Sequence, residues 1–168
     1  GTGYGVSRAP KLTALLGLEN TKLATVGGDA FKGNMIGGAL TFPVTLDSVG
    51  ASAFQNNLIT KVSFLNTTVD KIVLGSSCFQ NNKIKINPLT QGVRFGMADY
   101  AFADNSLTGE FSFEDETVPA PARGVNSGNP GVTHAIISKF WGIIPRDALQ
   151  APAGFKEIVI PPHTNFPR

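Results

Sequence analysis

The stretch "VGGDAFKGN" at residues 26 to 34 is followed by "VGASAFQNN" at 49 to 57, "LGSSCFQNN" at 74 to 82 and, more loosely, "MADYAFADN" at 97 to 105. Anchored on its phenylalanine, the phrase puts Phe31, Phe54, Phe79 and Phe102 in register, with separations of 23, 25 and 23 residues. The residue before the anchor is Ala30, Ala53, Cys78 and Ala101, and the residue three after it is Asn34, Asn57, Asn82 and Asn105. Five before stand Val26, Val49, Leu74 and Met97, and five after stand Ile36, Ile59, Ile84 and Leu107. A period in the 20s with several matching columns is the signature of a solenoid, in which each coil buries its apolar stripe by stacking on its neighbours.

Between the phrases lie short alternating stretches, "ALTFP" (39 to 43), "KVSFL" (61 to 65), "KIKIN" (83 to 87) and "EFSFE" (110 to 114). Apolar residues at every second position predict half-buried strands. "LLGLE" (15 to 19), "THAIIS" (133 to 138) and "FKEIVIPP" (155 to 162) continue the spacing. The expectation is one short strand per coil of about 23 residues, and seven coils whose strands end near Leu18, Phe42, Phe64, Ile86, Phe113, Ile137 and Ile160. "IPRDAL" (144 to 149) restores the phrase with Leu149 as anchor, while 115 to 131 reads as an irregular half-coil and "GVNSGNPG" (124 to 131) as a loop. The organisation read this way is an N-terminal arm at 1 to 11, one domain at 12 to 162 and a tail at 163 to 168.

The columns have structural explanations. A phenylalanine ladder runs inside the coil, each ring contributing about 1.5 to 3 kcal/mol by burial. Gly27, Gly50 and Gly75, four before the anchor, suit close backbone approach or positive φ, and the asparagine satisfies backbone groups where the chain turns.

The combination "NxI…LxFPxxLxxVGxxAFxxN" at this period resembles the BspA-type leucine-rich repeat of bacterial surface and secreted proteins and of some protist surface families. The resemblance covers about residues 12 to 162 and is weaker beyond 114; Ala98 replaces the phrase glycine in the fourth coil, and the proline after the strand stands only at Pro43 and Pro161. It implies a leucine-rich-repeat horseshoe, a right-handed superhelix, in a secreted or surface-anchored binding module of the kind that in some members serves adhesion.

Chemistry is sparse by comparison. The chain has 168 residues, enough for one domain, with 15% charged residues, 19 glycines, 11 prolines and a net charge of +2. Without a lysine and arginine cluster it carries no electrostatic footprint for nucleic acid, and without an apolar run of about 18 residues no spanning segment. His134 and His163 lie far apart with no ligand-spaced cysteine or carboxylate beside them. Cys78 sits in the alanine column, a small buried residue rather than a nucleophile. Glu110, Glu114, Asp115 and Glu116 form the densest charge cluster, read as a solvated acidic edge in preference to a calcium site. Asn66 in "NTT" fits a glycosylation acceptor. No metal or cofactor is expected.

A binding platform is expected on the outward face of the strands, about 30 Å long at strand spacing. Its outward column is Gly17, Thr41, Ser63, Lys85, Ser112, Ile136 and Val159, flanked by Ala39, Lys61, Lys83, Glu110 and Glu157. The candidate contacts are Thr41, Lys61, Ser63, Lys83, Lys85, Glu110 and Ser112, and the partner a protein or a glycan. Phe140 and Trp141 read as a cap over the core's end in preference to an exposed anchor. The functional expectation is a monomeric, non-enzymatic, extracellular or surface module; the alternatives are a structural spacer within a longer protein and an enzyme using Glu114, Asp115 or Glu116. A start at "GTGYG" without methionine reads as a trimmed piece with any targeting segment left out.

Overall fold

The computed structural model describes residues 10–66, 71–89, 93–113, 123–137 and 155–159. Within them the chain winds into a β-solenoid of about four turns with almost no helix. In chain order the strands are β1 (Thr25–Val26), β2 (Gly37–Phe42), β3 (Ser48–Val49), β4 (Leu58–Phe64), β5 (Ile72–Leu74), β6 (Phe95–Met97), β7 (Thr108–Ser112), β8 (Gly131–Ile136) and β9 (Glu157–Val159). Every pairing is parallel, as stacked coils require. One wall is the sheet β1-β3-β5-β6, and a second consists of β2-β4 and β7-β8-β9.

The repeated phrases form a third wall, held by backbone hydrogen bonds between coils. Phe31 N donates to Ala53 O at 2.8 Å, Phe54 N to Cys78 O at 2.8 Å, Phe79 N to Ala101 O at 2.9 Å and Phe102 N to Val125 O at 2.9 Å. Phe31, Phe54, Phe79 and Phe102 stack with centroids 5.1, 5.4 and 5.4 Å apart. On the strand wall Phe42 and Phe64 stack at 5.4 Å. Phe42 meets Phe54 edge-on at 5.7 Å, so the two walls share one core.

Close approach explains two glycines. A Cβ on Gly50 would lie 2.5 Å from Gly28 N, and one on Gly75 would lie 2.5 Å from Ala51 N. Positive φ occurs elsewhere, two residues either side of the anchor, at Ser52 and Asn56, Ser77 and Asn81, and Tyr100 and Asp104.

Several expectations change. "LLGLE" is not the first strand: Leu18–Asn20 is a 3-10 turn, and Leu16 is 92% exposed. Coils 1 and 2 each carry two strands rather than one, because "TV" and "SV" pair even though each is only two residues long. "KIKIN" is not a strand: Ile84 is buried but Ile86 is 62% exposed, and Pro88, which has no N–H for a ladder, follows at once. The winding is about four turns rather than seven, and of the expected later coils residues 138–154 and 160–168 lie outside the described residues. A horseshoe needs its outer wall spread wider than its inner one, whereas ring spacing here is 5.1 to 5.4 Å on both.

The segment read as a loop at 124 to 131 is partly a fifth phrase. Val125 takes the alanine column, Asn126 the phenylalanine column and Asn129 the asparagine column, and Gly124 and Gly128 hold the positive φ positions. Asn126 is buried with its Oδ1 unpartnered, so the aromatic stack ends on a polar side chain.

Candidate functional site

The asparagine column is structural. Asn57, Asn82, Asn105 and Asn129 are buried. Asn82 Nδ2 donates to Phe54 O at 2.9 Å and to Phe79 O at 3.0 Å, while its Oδ1 accepts from Ile59 N at 3.1 Å. Asn57 repeats this pattern one coil before, and Asn105 and Asn129 one and two coils after. Each amide therefore ties its own coil to the preceding one, which leaves no group for a ligand. Asn66 is also buried, its Nδ2 donating to Leu46 O at 2.8 Å, and glycosylation of the folded chain would have to break that packing.

Surface chemistry lies on the outer side of the strand wall. Thr41, Ser63 and Ser112 are partly exposed and Lys61, Lys83, Lys85 and Glu110 exposed, above the buried Leu40, Phe42, Val62 and Phe111. Thr41 pairs with Ser63 and Ala39 with Lys61, as alternation predicts. The irregular third coil shifts the rest. Lys83 N donates to Ile59 O at 2.9 Å and Lys85 N to Thr60 O at 3.3 Å, which sets Lys83 alongside Thr60 and Lys85 alongside Lys61. The expected rows Lys61 to Lys83 and Ser63 to Lys85 are thus displaced, because the segment follows the register of its own anchor Phe79. The three lysines nonetheless occupy adjacent coils, and none forms an ion pair among the described residues.

The last strands carry a row that reading along the chain does not reveal. Glu110 pairs in register with His134, and His134 with Glu157. His134 Nε2 lies 3.4 Å from Glu110 Oε2, and its Nδ1 is 3.0 Å from Thr133 Oγ1. The carboxylate absent beside His134 in sequence is supplied by Glu110 on the preceding coil; the separation of one period was the available signal. Among the described residues no group of three or more His, Cys, Asp or Glu is placed to hold a metal. Glu114, Asp115, Glu116, Phe140, Trp141, Leu149 and His163 lie outside the described residues.

Cys78 is fully buried, with Sγ 3.9 Å from Ala101 O, and burial pushes its thiol far above the usual range. A thiol reagent at pH 8 should label it only after unfolding. The unfolded thiol ionises near its ordinary pKa, about 8.5, and the native one does not. This contribution to stability is therefore complete below that pH and declines above it, by up to about 1.4 kcal/mol per pH unit. Denaturation midpoints from pH 7 to 10 should show the decline, and Cys78→Ala should remove it.

The described helical content is the one 3-10 turn, and no helix among the described residues is long and apolar enough to cross a membrane. No family model, curated protein or solved structure matches the chain.

Proposed function

We propose that this chain is a non-enzymatic binding module of the BspA-type leucine-rich-repeat kind, secreted or displayed on a cell surface, that engages protein, or failing that glycan, through its strand face. The kinship and the location rest on the four phrase columns at 26 to 34, 49 to 57, 74 to 82 and 97 to 105, and right-handed winding belongs to the same reading. The observation that carries the binding role is the set Lys61, Lys83 and Lys85, exposed on adjacent coils without an acidic partner among the described residues. Uncompensated charge on a rigid face attracts an acidic partner and speeds its docking.

The test is adhesion to surfaces coated with matrix proteins. Replacing all three lysines with glutamate should weaken attachment at least tenfold, with an unchanged circular dichroism spectrum. Undiminished attachment would remove the strand face from the proposal.

A spacer role is favoured by a different observation, the coil-to-coil hydrogen bonding from Asp29 to Ser127 along the phrase wall. Such a ladder makes a stiff rod suited to presenting another domain. A longer reading frame with a large appended domain, together with no ligand held by the isolated repeats, would select this alternative.

A further inference from the structure

Where the phrase wall turns into the strand face, exposed apolar side chains collect along one corner. Leu12, Met35 and Leu58 are 50%, 48% and 43% exposed. Met35 N donates to Leu12 O at 2.9 Å and Leu58 N to Ile36 O at 2.8 Å, so the three sit on successive coils. A cleft of about 270 Å³ opens at this corner, lined by Met35 and Leu58, by Asn34, Asn56 and Asn81, and by Lys83.

Its polar side is preformed. Asn81 Nδ2 donates to Asn56 Oδ1 at 2.8 Å, which leaves the amide hydrogens of Asn56 and the carbonyl oxygen of Asn81 without partners among the described residues. Asn56 N donates to Gln80 O and Asn81 N to Ala103 O, both at 3.0 Å, so the backbone beneath the pair is held as well. A site already ordered loses little conformational freedom on binding. Lys83 adds a cation with no ion pair among the described residues.

We propose that this corner cleft binds an extended segment of a partner protein in which an aliphatic side chain stands close to an aspartate or glutamate. The aliphatic group covers Met35 and Leu58, whose exposure otherwise leaves apolar surface in water. The segment's backbone N–H and C=O meet the free oxygen of Asn81 and the free amide of Asn56, and its carboxylate meets Lys83. A sugar fits this lining less well, since the cleft has no aromatic side chain on which a pyranose ring could stack. The inference rests on the protein-binding half of the proposed function and moves the principal contact from the middle of the strand face to its edge.

The experiment is selection of displayed random hexapeptides on the immobilised chain, with an array of uronic acid oligosaccharides run in parallel. Enriched peptides should carry Leu, Ile, Val or Met within two positions of Asp or Glu. Enrichment should fall at least tenfold on Met35→Ser with Leu58→Ser, and likewise on Lys83→Glu, while Lys61→Glu with Lys85→Glu leaves it intact. A synthetic copy of the enriched sequence should shift the side-chain amide signals of Asn56 and Asn81 in a saturable way. Circular dichroism confirms the fold of each variant, every substituted residue being exposed. The cleft is overturned by no enrichment, by enriched peptides lacking the aliphatic and acidic pair, or by binding on the oligosaccharide array alone. Loss confined to Lys61→Glu with Lys85→Glu overturns the cleft and leaves the strand-face reading standing. Intact enrichment in that double variant, alongside its undiminished matrix adhesion, keeps the cleft and removes the middle of the strand face.

Discussion

Phe54→Ala should lower the unfolding free energy by about 3 to 5 kcal/mol. The ring is fully buried, stacked on Phe31 at 5.1 Å and on Phe79 at 5.4 Å, with Phe42 edge-on at 5.7 Å. Truncation removes the transfer energy of the ring and opens a cavity that the stack closes poorly, because its neighbours are held at a spacing set by backbone hydrogen bonds on both sides. Ser63→Ala, on the partly exposed outer face of β4, should change stability by no more than about 0.5 kcal/mol. Urea midpoints measured on the two variants check this, and equal midpoints would reverse the inside and outside faces.

Asn82→Ala should be similarly severe through a different cause. The buried Ile59 N–H loses its acceptor, and the Phe54 and Phe79 carbonyls each lose one of two amide donors, keeping the one from Asn57 and from Asn105 respectively. The orphaned N–H costs about 1 to 3 kcal/mol and each of the two lost donor bonds about 0.5 to 1.5 kcal/mol, so a loss of about 2 to 5 kcal/mol is expected. Asn82→Asp should be no milder, since a carboxylate can still accept from Ile59 N but cannot donate to the two carbonyls, and its charge is buried. The neighbouring Asn81→Ala serves as the control. Asn81 is exposed and its φ is 55°, so the substitution carries the left-handed backbone cost of about 1 to 2 kcal/mol and the loss of one exposed hydrogen bond to Asn56, but orphans no buried backbone group. Denaturation midpoints together with faster hydrogen exchange at Ile59 in Asn82→Ala would report the effect; wild-type exchange there would remove the ladder as a stabilising device.

Both predictions concern columns that could be read before any coordinates. Phe54 and Asn82 recur at the period because every coil meets the same neighbour above and below, and alternation in "ALTF" and "KVSF" placed Leu40, Phe42, Val62 and Phe64 inside. The errors lie where stacking and local pattern part company. "KIKIN" alternates like its counterparts, yet it follows the register of Phe79 and runs into Pro88, so Ile86 is solvent-exposed and Lys85 moves beside Lys61. β1 and β3 are too short for alternation to mark, and they are strands only because adjacent coils pair there. "VNSGN" lacks a phenylalanine and so hid a fifth phrase, although Asn129 kept its place three residues after Asn126.

The candidate sites divide in the same way. That Lys61, Lys83 and Lys85 are surface residues follows from alternation, but their mutual placement depends on coil-to-coil hydrogen bonds that no single segment encodes. The Glu110 and His134 contact and the cleft beside Asn56 and Asn81 bring together residues one period apart, and only winding makes them neighbours. By itself the sequence determined a stacked repeat, the phenylalanine and asparagine columns that hold it and the face each strand turns to water, because these depend on a period shared by every coil. Tertiary structure decided the number of turns, the equal spacing of the walls and the grouping of surface side chains, because these depend on the register each coil adopts against the next.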